Sequence, residues 1–357
     1  MSPRFQRIAA RLPLTRARAR REARELFDIV AGFTYSQITL ACVRLDLLEQ
    51  LRAGATSERA LIATMGMSDE AARTLLRAAA AIELLEACEL EQAPAWVLGR
   101  RGAALLGNPG VLAMIEHHAV LYADLVDPVA MLRAPRGSTA LSKYWPYASA
   151  TIPGAVAGEG TRDYTQLMAA SQGLVAEEIL DAYDVSIHRR VLDVGGGDGT
   201  FLRALGKRAP SAALVLFDLP GVAELARRRF ADSGMANRAE VVGGDFSRDA
   251  LPTGADLITL VRVLHDHDDP LVERVLRAAA AALAPGGALL VAEPLSGTPG
   301  AERMGDAYFG VYLWAMGSGR PRSADELTQM LKKAGFSKVR RLPTAIPLQT
   351  SVLLASR

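Results

Sequence analysis

Cysteine is scarce: Cys42 and Cys88 are the only two in 357 residues. Two thiols cannot make a disulfide framework. Both stand in apolar patterns read here as helical, so they are expected to be reduced core residues of a cytoplasmic protein. No uninterrupted apolar run reaches the roughly 18 residues of a membrane span, and the basic N-terminal end lacks the apolar stretch of a secretory signal. Internal repeats and low-complexity linkers are missing. The net charge is only +2, which singles out no partner. What the chain does have is length and apolar content: half of its residues are hydrophobic, enough for more than one core.

Charge is unevenly placed. The first 24 residues hold eight arginines (4, 7, 11, 16, 18, 20, 21 and 24) against one acid, Glu22. Residues 1–24 read as a basic arm, interrupted at Pro13. It is either solvated or in contact with anionic lipid headgroups, with Ile8, Leu12 and Leu14 inserting shallowly. That places the protein in the cytoplasm, with peripheral contact to the inner membrane as the sharper alternative.

Residues 25–106 follow a helical period, with Leu26, Ile29, Val30, Phe33 and Ile38 recurring at helical spacing. Ser68 is placed to cap a second helix that buries Ala71, Leu75, Leu76 and Ala79. Residues 84–98 read as a small β-wing, so the segment is expected to be a winged-helix unit. A DNA reader would carry arginines on its second helix. Here that helix reads SDEAARTLLRAAAAIELLE, nearly neutral, which favours dimer packing over nucleic acid. Residues 107–180 are helical and rich in Met, His and aromatic side chains. His117, Tyr122, Tyr164 and Met168, with Tyr308, Tyr312 and Met316 further on, are the candidates for lining an apolar substrate pocket.

Residues 181–357 alternate strand and helix. Strands are expected at 191–195, 213–218, 239–244, 255–261 and 288–293, with helices near 199–208, 221–233, 270–284 and 323–334. That alternation implies a mostly parallel sheet covered on both faces. Two last strands, near 338–343 and 350–355, have no helix between them and read as an antiparallel hairpin at the sheet edge.

Chemistry concentrates at the carboxyl ends of these strands, where doubly wound sheets bind ligands. DVGGGDG at 193–199 follows the first strand. Its spacing is G-x-G-x-G, because Thr200 occupies the position where dinucleotide enzymes have their third glycine. A pyrophosphate is therefore disfavoured, and S-adenosylmethionine, with a zwitterionic tail and no phosphate, is the expected ligand. Gly195 and Gly197 would let the backbone approach it, and Asp193 would accept from its ammonium. Asp218, followed by Leu219, ends the second strand, where a carboxylate binds ribose hydroxyls. Asp245 and Phe246 follow the third strand and suit an adenine amino group and ring. Beyond the fourth strand lies His265-Asp266-His267-Asp268-Asp269. His265 suits a general base and Glu293, one strand over, an orienting acid. A metal reading of this cluster is set aside, since methyl transfer from a sulfonium needs no Lewis acid. The three acids are expected to cap the helix that starts near Pro270.

At these residues the chain resembles a known family: the winged-helix small-molecule O-methyltransferases, which include plant caffeate and hydroxyindole enzymes. The shared marks are DVGGGDG, FDLP (217–220), GGDF (243–246), VLHDHDD (263–269) and LLVAEP (289–294). The resemblance implies a Rossmann-like class I methyltransferase sheet behind a helical dimerisation domain, a homodimer, His265 as base, Glu293 as its assistant and Arg262 as a basic cofactor contact. The family's substrate-helix motif corresponds to Tyr164–Met168. His267 stands where the family usually has Trp, and no carboxylate is found near 319–322, where plant members place a second acid. LFDIVAGFTYSQ (26–37), LYADLVDPVAML (121–132), YWPYA (144–148) and GDAYFGVYLWAMGSGRPR (305–322) look like the carotenoid hydroxyl methyltransferases of purple phototrophic bacteria. This implies a hydroxylated acyclic carotenoid of the demethylspheroidene type as substrate. The rival readings are an aromatic polyketide or phenol as substrate, a cofactor-binding regulator and an NAD-dependent oxidoreductase.

Overall fold

The computed structural model describes residues 13–144, 172–347 and 350–357. Tyr164 and Met168, like Trp145 and Tyr147, lie outside the described residues. The chain forms two compact units that divide between Glu116 and His117, inside the helix Pro109–Asp124, rather than near residue 106.

In the first unit a single helix runs from Pro13 to Arg44. There is no break at residue 24. Leu26, Phe27, Ile29, Val30 and Phe33 on this helix are each more than 60% exposed. By length and composition the helix holds an 18-residue window apolar enough to cross a membrane, which corrects the expectation of no such segment. Ile29, Val30, Ile38, Leu40 and Val43 raise its mean, while Asp28, Ser36 and Gln37 interrupt any continuous run. Helix Glu58–Thr64 is capped by Ser57 and helix Asp69–Ala81 by Ser68, whose hydroxyl accepts from the Ala71 amide. The buried positions of the latter are Ala72, Leu76 and Ala79, while Ala71 is exposed. The inward face starts one residue later than expected because Ala71 stands over the capping turn.

The wing is a three-stranded antiparallel sheet of β1 (Thr56–Ser57), β2 (Leu85–Leu90) and β3 (Ala93–Leu98). Glu91 and Gln92 join β2 to β3 with positive φ at both positions, the backbone of a tight twisted hairpin. Cys88 lies in β2 and is partly exposed, not helical as expected, whereas Cys42 is helical and buried. Burial pushes the Cys42 thiol up to about 11.

The second unit is built on seven strands: β4 (Arg190–Val194), β5 (Ala213–Asp218), β6 (Ala239–Gly243), β7 (Ala255–Val261), β8 (Leu283–Glu293), β9 (Lys338–Leu342) and β10 (Ser351–Ser356). Their order is β6-β5-β4-β7-β8-β10-β9. The first five are parallel, and β10 enters antiparallel between β8 and β9. The mostly parallel α/β sheet with its terminal hairpin is therefore present. Alternation along each strand divides the core. Leu192, Val194, Ile258, Leu260, Leu289 and Val291 face helices Asp269–Ala282 and Ala324–Lys333. Val191, Leu214, Leu216, Leu257, Leu290 and Ala292 face helix Thr200–Arg208, helix Pro220–Asp232 and a helix over 172–182. Apolar side chains on both faces are what a buried parallel sheet demands. With the sheet so filled, polar side chains collect where β4, β5, β7 and β8 end.

Candidate active site

Two clusters of polar residues stand at that edge. The first surrounds the glycine turn. Asp193 and Thr259 are register partners on β4 and β7, and the Thr259 hydroxyl donates to Asp193 Oδ1 at 2.6 Å. Asp193 Oδ2 is buried and has no hydrogen-bond partner among the described residues. Burial above all, with Asp218 adding and Thr259 opposing, pushes the Asp193 carboxyl up to about 7. An orphaned buried acceptor is costly, and a cationic N–H donor is the group that would relieve it. The ammonium of S-adenosylmethionine fits.

The Gly197 amide donates to Asp218 Oδ2 at 2.8 Å, and the Leu219 amide to Oδ1 at 2.7 Å. Asp218 therefore fixes the turn and keeps a second lone pair on each oxygen for hydroxyl donors. Burial raises it to about 6, against these two amide bonds. Gly195 and Gly197 both have positive φ. At Gly197 a Cβ would meet nothing within 4 Å, so the backbone there borders open space that a ligand can enter. Asp245 is partly committed: Oδ1 accepts from the Ser247 amide and Oδ2 lies 3.9 Å from Arg248. Phe246 meets His267, which stands where the family usually has Trp, edge to face at 5.3 Å between centroids. Arg262 adopts left-handed backbone, φ 55°, at the end of β7, and its amide donates to the Ala292 carbonyl.

The second cluster centres on His265, buried in a 3₁₀ turn Leu264–Asp266. Its Nδ1 lies 2.6 Å from Glu293 Oε2. Glu293 Oε1 accepts the amides of Val263 and Leu264 at 2.9 and 2.7 Å. Asp266 Oδ1 stands 3.1 Å from Nε2. Burial works against the imidazolium, but Asp266 and Glu293 outweigh it and raise the His265 pKa above its ordinary value. His267 is lowered instead, by burial that Asp266 only partly offsets. The acids do not act as the expected helix caps. Asp268 is the N-cap residue but makes no side-chain cap; it accepts from the Gly319 amide, and Asp269 pairs with Arg320 and Arg322. For Asp269 the two guanidinium groups, that of Arg322 buried, are stronger partners than the helix end. Among the described residues no group of three or more His, Cys, Asp and Glu side chains is arranged to hold a metal.

Aromatic residues lead away from His265. Phe309 meets it edge to face at 5.4 Å, Tyr308 meets Phe309 at 5.1 Å, and Tyr308 stacks on Tyr312 at 5.7 Å. A π-helix, Arg303–Tyr308, feeds into the helix Phe309–Met316 and sets this stagger. His117 Nε2 bonds the Tyr312 hydroxyl and His118 Nε2 the Tyr308 hydroxyl, each at 2.8 Å. Burial, with His118 adding, lowers His117 to about 4, and burial raises Tyr308 to about 12 despite Arg262. These groups are neutral at physiological pH. Met316 is packed into a core with Leu121, Met131 and Leu141, and Tyr122 is partly buried.

Sequence inspection missed Arg320, Arg322 and Ser318. The run RPR was visible, but not its partners.

Comparison with known proteins agrees with this site. Residues 149–337 match the O-methyltransferase domain family. Demethylspheroidene O-methyltransferase of Cereibacter sphaeroides is 45% identical, covering all of this chain and 93% of that protein. The Rhodobacter capsulatus protein of the same name is 43% identical over all of this chain and 88% of its own length. Human N-acetylserotonin methyltransferase, solved with SAM, superposes with a TM-score of 0.76 at 22% identity over 94% of this chain and 97% of its own, a likeness of fold. With a carboxylate-held histidine beside a phosphate-free glycine turn, and relatives matched from end to end, the chain belongs to the O-methyltransferase family and is an S-adenosylmethionine-dependent O-methyltransferase.

Proposed function

We propose that this enzyme methylates the hydroxyl of a hydroxylated acyclic carotenoid of the demethylspheroidene kind, with His265 as general base. The observation that carries the chemistry is the buried His265–Glu293 pair. Glu293 accepts the Nδ1 proton, so Nε2, which Asp266 Oδ1 approaches to 3.1 Å, is the atom that takes the substrate's proton. An aliphatic alcohol stays protonated at neutral pH, so Nε2 takes its proton as the oxygen attacks, and Glu293 stabilises the resulting imidazolium. General-base help of this kind contributes roughly 10²–10⁴-fold. S-adenosylmethionine, when bound, supplies an electrophilic methyl on a positively charged sulfur. Asp193, Gly195, Gly197, Asp218, Leu219, Asp245, Phe246 and Arg262 would hold it, with Asp193 receiving its ammonium.

The substrate assignment is supported by the end-to-end similarity to two demethylspheroidene O-methyltransferases and by the neutral aromatic row of Phe309, Tyr308 and Tyr312 ending at His265. A polyene offers no polar groups, so uncharged walls suit it. His117 and Tyr122 would extend this lining, with Met316 behind it. Mass spectrometry of carotenoids from a host making the hydroxylated precursor tests the assignment: one added methyl group supports it, and methylation of simple phenols alone refutes it.

The exposed apolar side chains of helix Pro13–Arg44 favour a homodimer or lipid contact. We place the enzyme in the cytoplasm, with arginines 16 to 24 touching anionic inner membrane. Flotation with anionic liposomes, compared with neutral ones, and sedimentation of the free enzyme test the two contacts.

A further inference from the structure

The 3₁₀ turn that carries His265 is three residues long and satisfies its own carbonyls poorly, the His267 amide reaching that of Leu264 at 3.3 Å. Four consecutive ones, on residues 264 to 267, are met by donors from one distant segment, 318–322. Arg322 Nη1 donates to the Leu264 carbonyl at 2.8 Å and Nη2 to that of His267 at 2.7 Å. Between them, the Arg320 amide donates to the His265 carbonyl at 2.9 Å and the Ser318 hydroxyl to that of Asp266 at 2.8 Å. Arg322 is 2% exposed, an expensive position for a charge unless it is paired. Asp269 supplies the pairing, with Oδ1 at 2.9 Å from Nε and 2.6 Å from Nη2. The fit leaves no slack: Gly319 has φ +74°, and a Cβ there would lie 2.0 Å from the His265 carbonyl oxygen.

A buried guanidinium is an unusual choice where apolar packing would hold two loops together. Its planar fork can reach two carbonyls and a carboxylate at once, and those carbonyls flank His265. We propose that Arg322 is a positioning residue for methyl transfer. By fixing the backbone of residues 264–267 it aims the His265 ring, keeping Nδ1 on Glu293 and Nε2 beside Asp266, where it meets the substrate hydroxyl. This rests on His265 being the base.

Arg322→Lys keeps the charge but not the fork. The expected variant is folded by circular dichroism and binds S-adenosylhomocysteine within about two-fold of wild type, while kcat falls on the order of 10–100-fold, as for other displaced supporting groups. The acid limb of kcat/KM should also move down toward the ordinary histidine range as the ring loosens from its two carboxylates. A wild-type kcat with an unmoved acid limb overturns the proposal. So does a kcat loss that comes with a lower melting temperature and an unmoved acid limb, since that is a structural role only. If Arg322→Lys does not fold, Ser318→Ala, which removes one hydroxyl donor, is read by the same two criteria. His265→Ala run in parallel separates the readings. Retained turnover there removes the base and this proposal with it; turnover lost there, beside an Arg322→Lys enzyme that behaves as wild type, overturns the positioning role alone.

Discussion

Glu293 touches the His265 loop three times: Oε2 lies 2.6 Å from His265 Nδ1, and Oε1 accepts the amides of Val263 and Leu264. One carboxylate thus holds both the ring and the backbone that presents it. Because β7 and β8 are parallel neighbours, the end of one strand delivers the acid beside the loop leaving the other.

Glu293→Gln should therefore be more than a charge change. The amide can present its N–H₂ to Nδ1 and invert the tautomer, leaving Nε2 protonated and useless as an acceptor. Turnover is expected to fall by about 10²-fold or more with cofactor affinity unchanged by calorimetry. Removing the side chain in Glu293→Ala would also leave the Val263 and Leu264 amides and His265 Nδ1 without their buried acceptor and cost about 3–5 kcal/mol in urea unfolding.

His265→Ala should lower kcat by roughly 10²–10⁴-fold and leave the heat of S-adenosylhomocysteine binding intact. In the wild-type enzyme the imidazole sits between two carboxylates that favour its proton. Activity should thus rise with pH along an acid limb whose midpoint in kcat/KM lies above the ordinary 6.5. A midpoint at or below that value would contradict the geometry.

Cofactor affinity should depend on pH through Asp193. Its carboxyl is pushed up to about 7, so the free protein holds a proton there below neutrality, and an ammonium ligand has to displace it. Affinity is expected to drop by up to about ten-fold per pH unit below that value, with proton release detectable by calorimetry in buffers of different ionisation enthalpy. Asp193→Asn should bind weakly and flatten the dependence.

Gly197→Ala places a methyl group in the cofactor's approach at φ +60°. The left-handed backbone costs roughly 1–2 kcal/mol. The main effect expected is weaker cofactor binding with the melting temperature lowered only slightly, read by calorimetry and thermal unfolding.

Acid should remove the stabilisation held in the buried neutral histidines. His117 is lowered to about 4 from an ordinary 6.5, and His118, His188 and His267 are lowered as well, chiefly by burial. Below pH 6.5 the unfolded chain binds more protons at these sites than the folded one. Their stabilisation is complete above 6.5 and is lost as pH falls toward their folded values. Asp193, Asp218 and His265, all raised, work in the opposite sense. The histidine share is therefore read by difference: urea midpoints measured from about pH 7.5 to 4.5 should fall for the wild type relative to His117→Phe.

The sheet and its ligand edge were legible because their signals are local. A buried parallel strand is written in its own few residues, and the glycine turn after β4 declares itself by spacing. The parallel-sheet rule then brought His265 and Glu293 to one edge without knowledge of any contact. Local reading failed where partners are remote. The acids at 266, 268 and 269 looked like helix caps because the helix begins next to them, yet Asp269 is met by Arg320 and Arg322, Asp268 by Arg136 and Asp266 by the His265 ring. Cys88 read as helical since an apolar context does not separate a short wing strand from a helix.

The sequence by itself therefore determined the α/β alternation, the glycine turn and the meeting of His265 and Glu293 at one sheet edge, all properties of period and order along the chain. Tertiary structure alone decided that Asp193 Oδ2 is left without a partner, that two adjacent histidines each meet a tyrosine about 190 residues away, and that Arg322 holds the loop of His265. The reason is physical. Desolvation and hydrogen-bond satisfaction depend on what surrounds a group in space, and residues so far apart in the chain leave no periodic trace of one another.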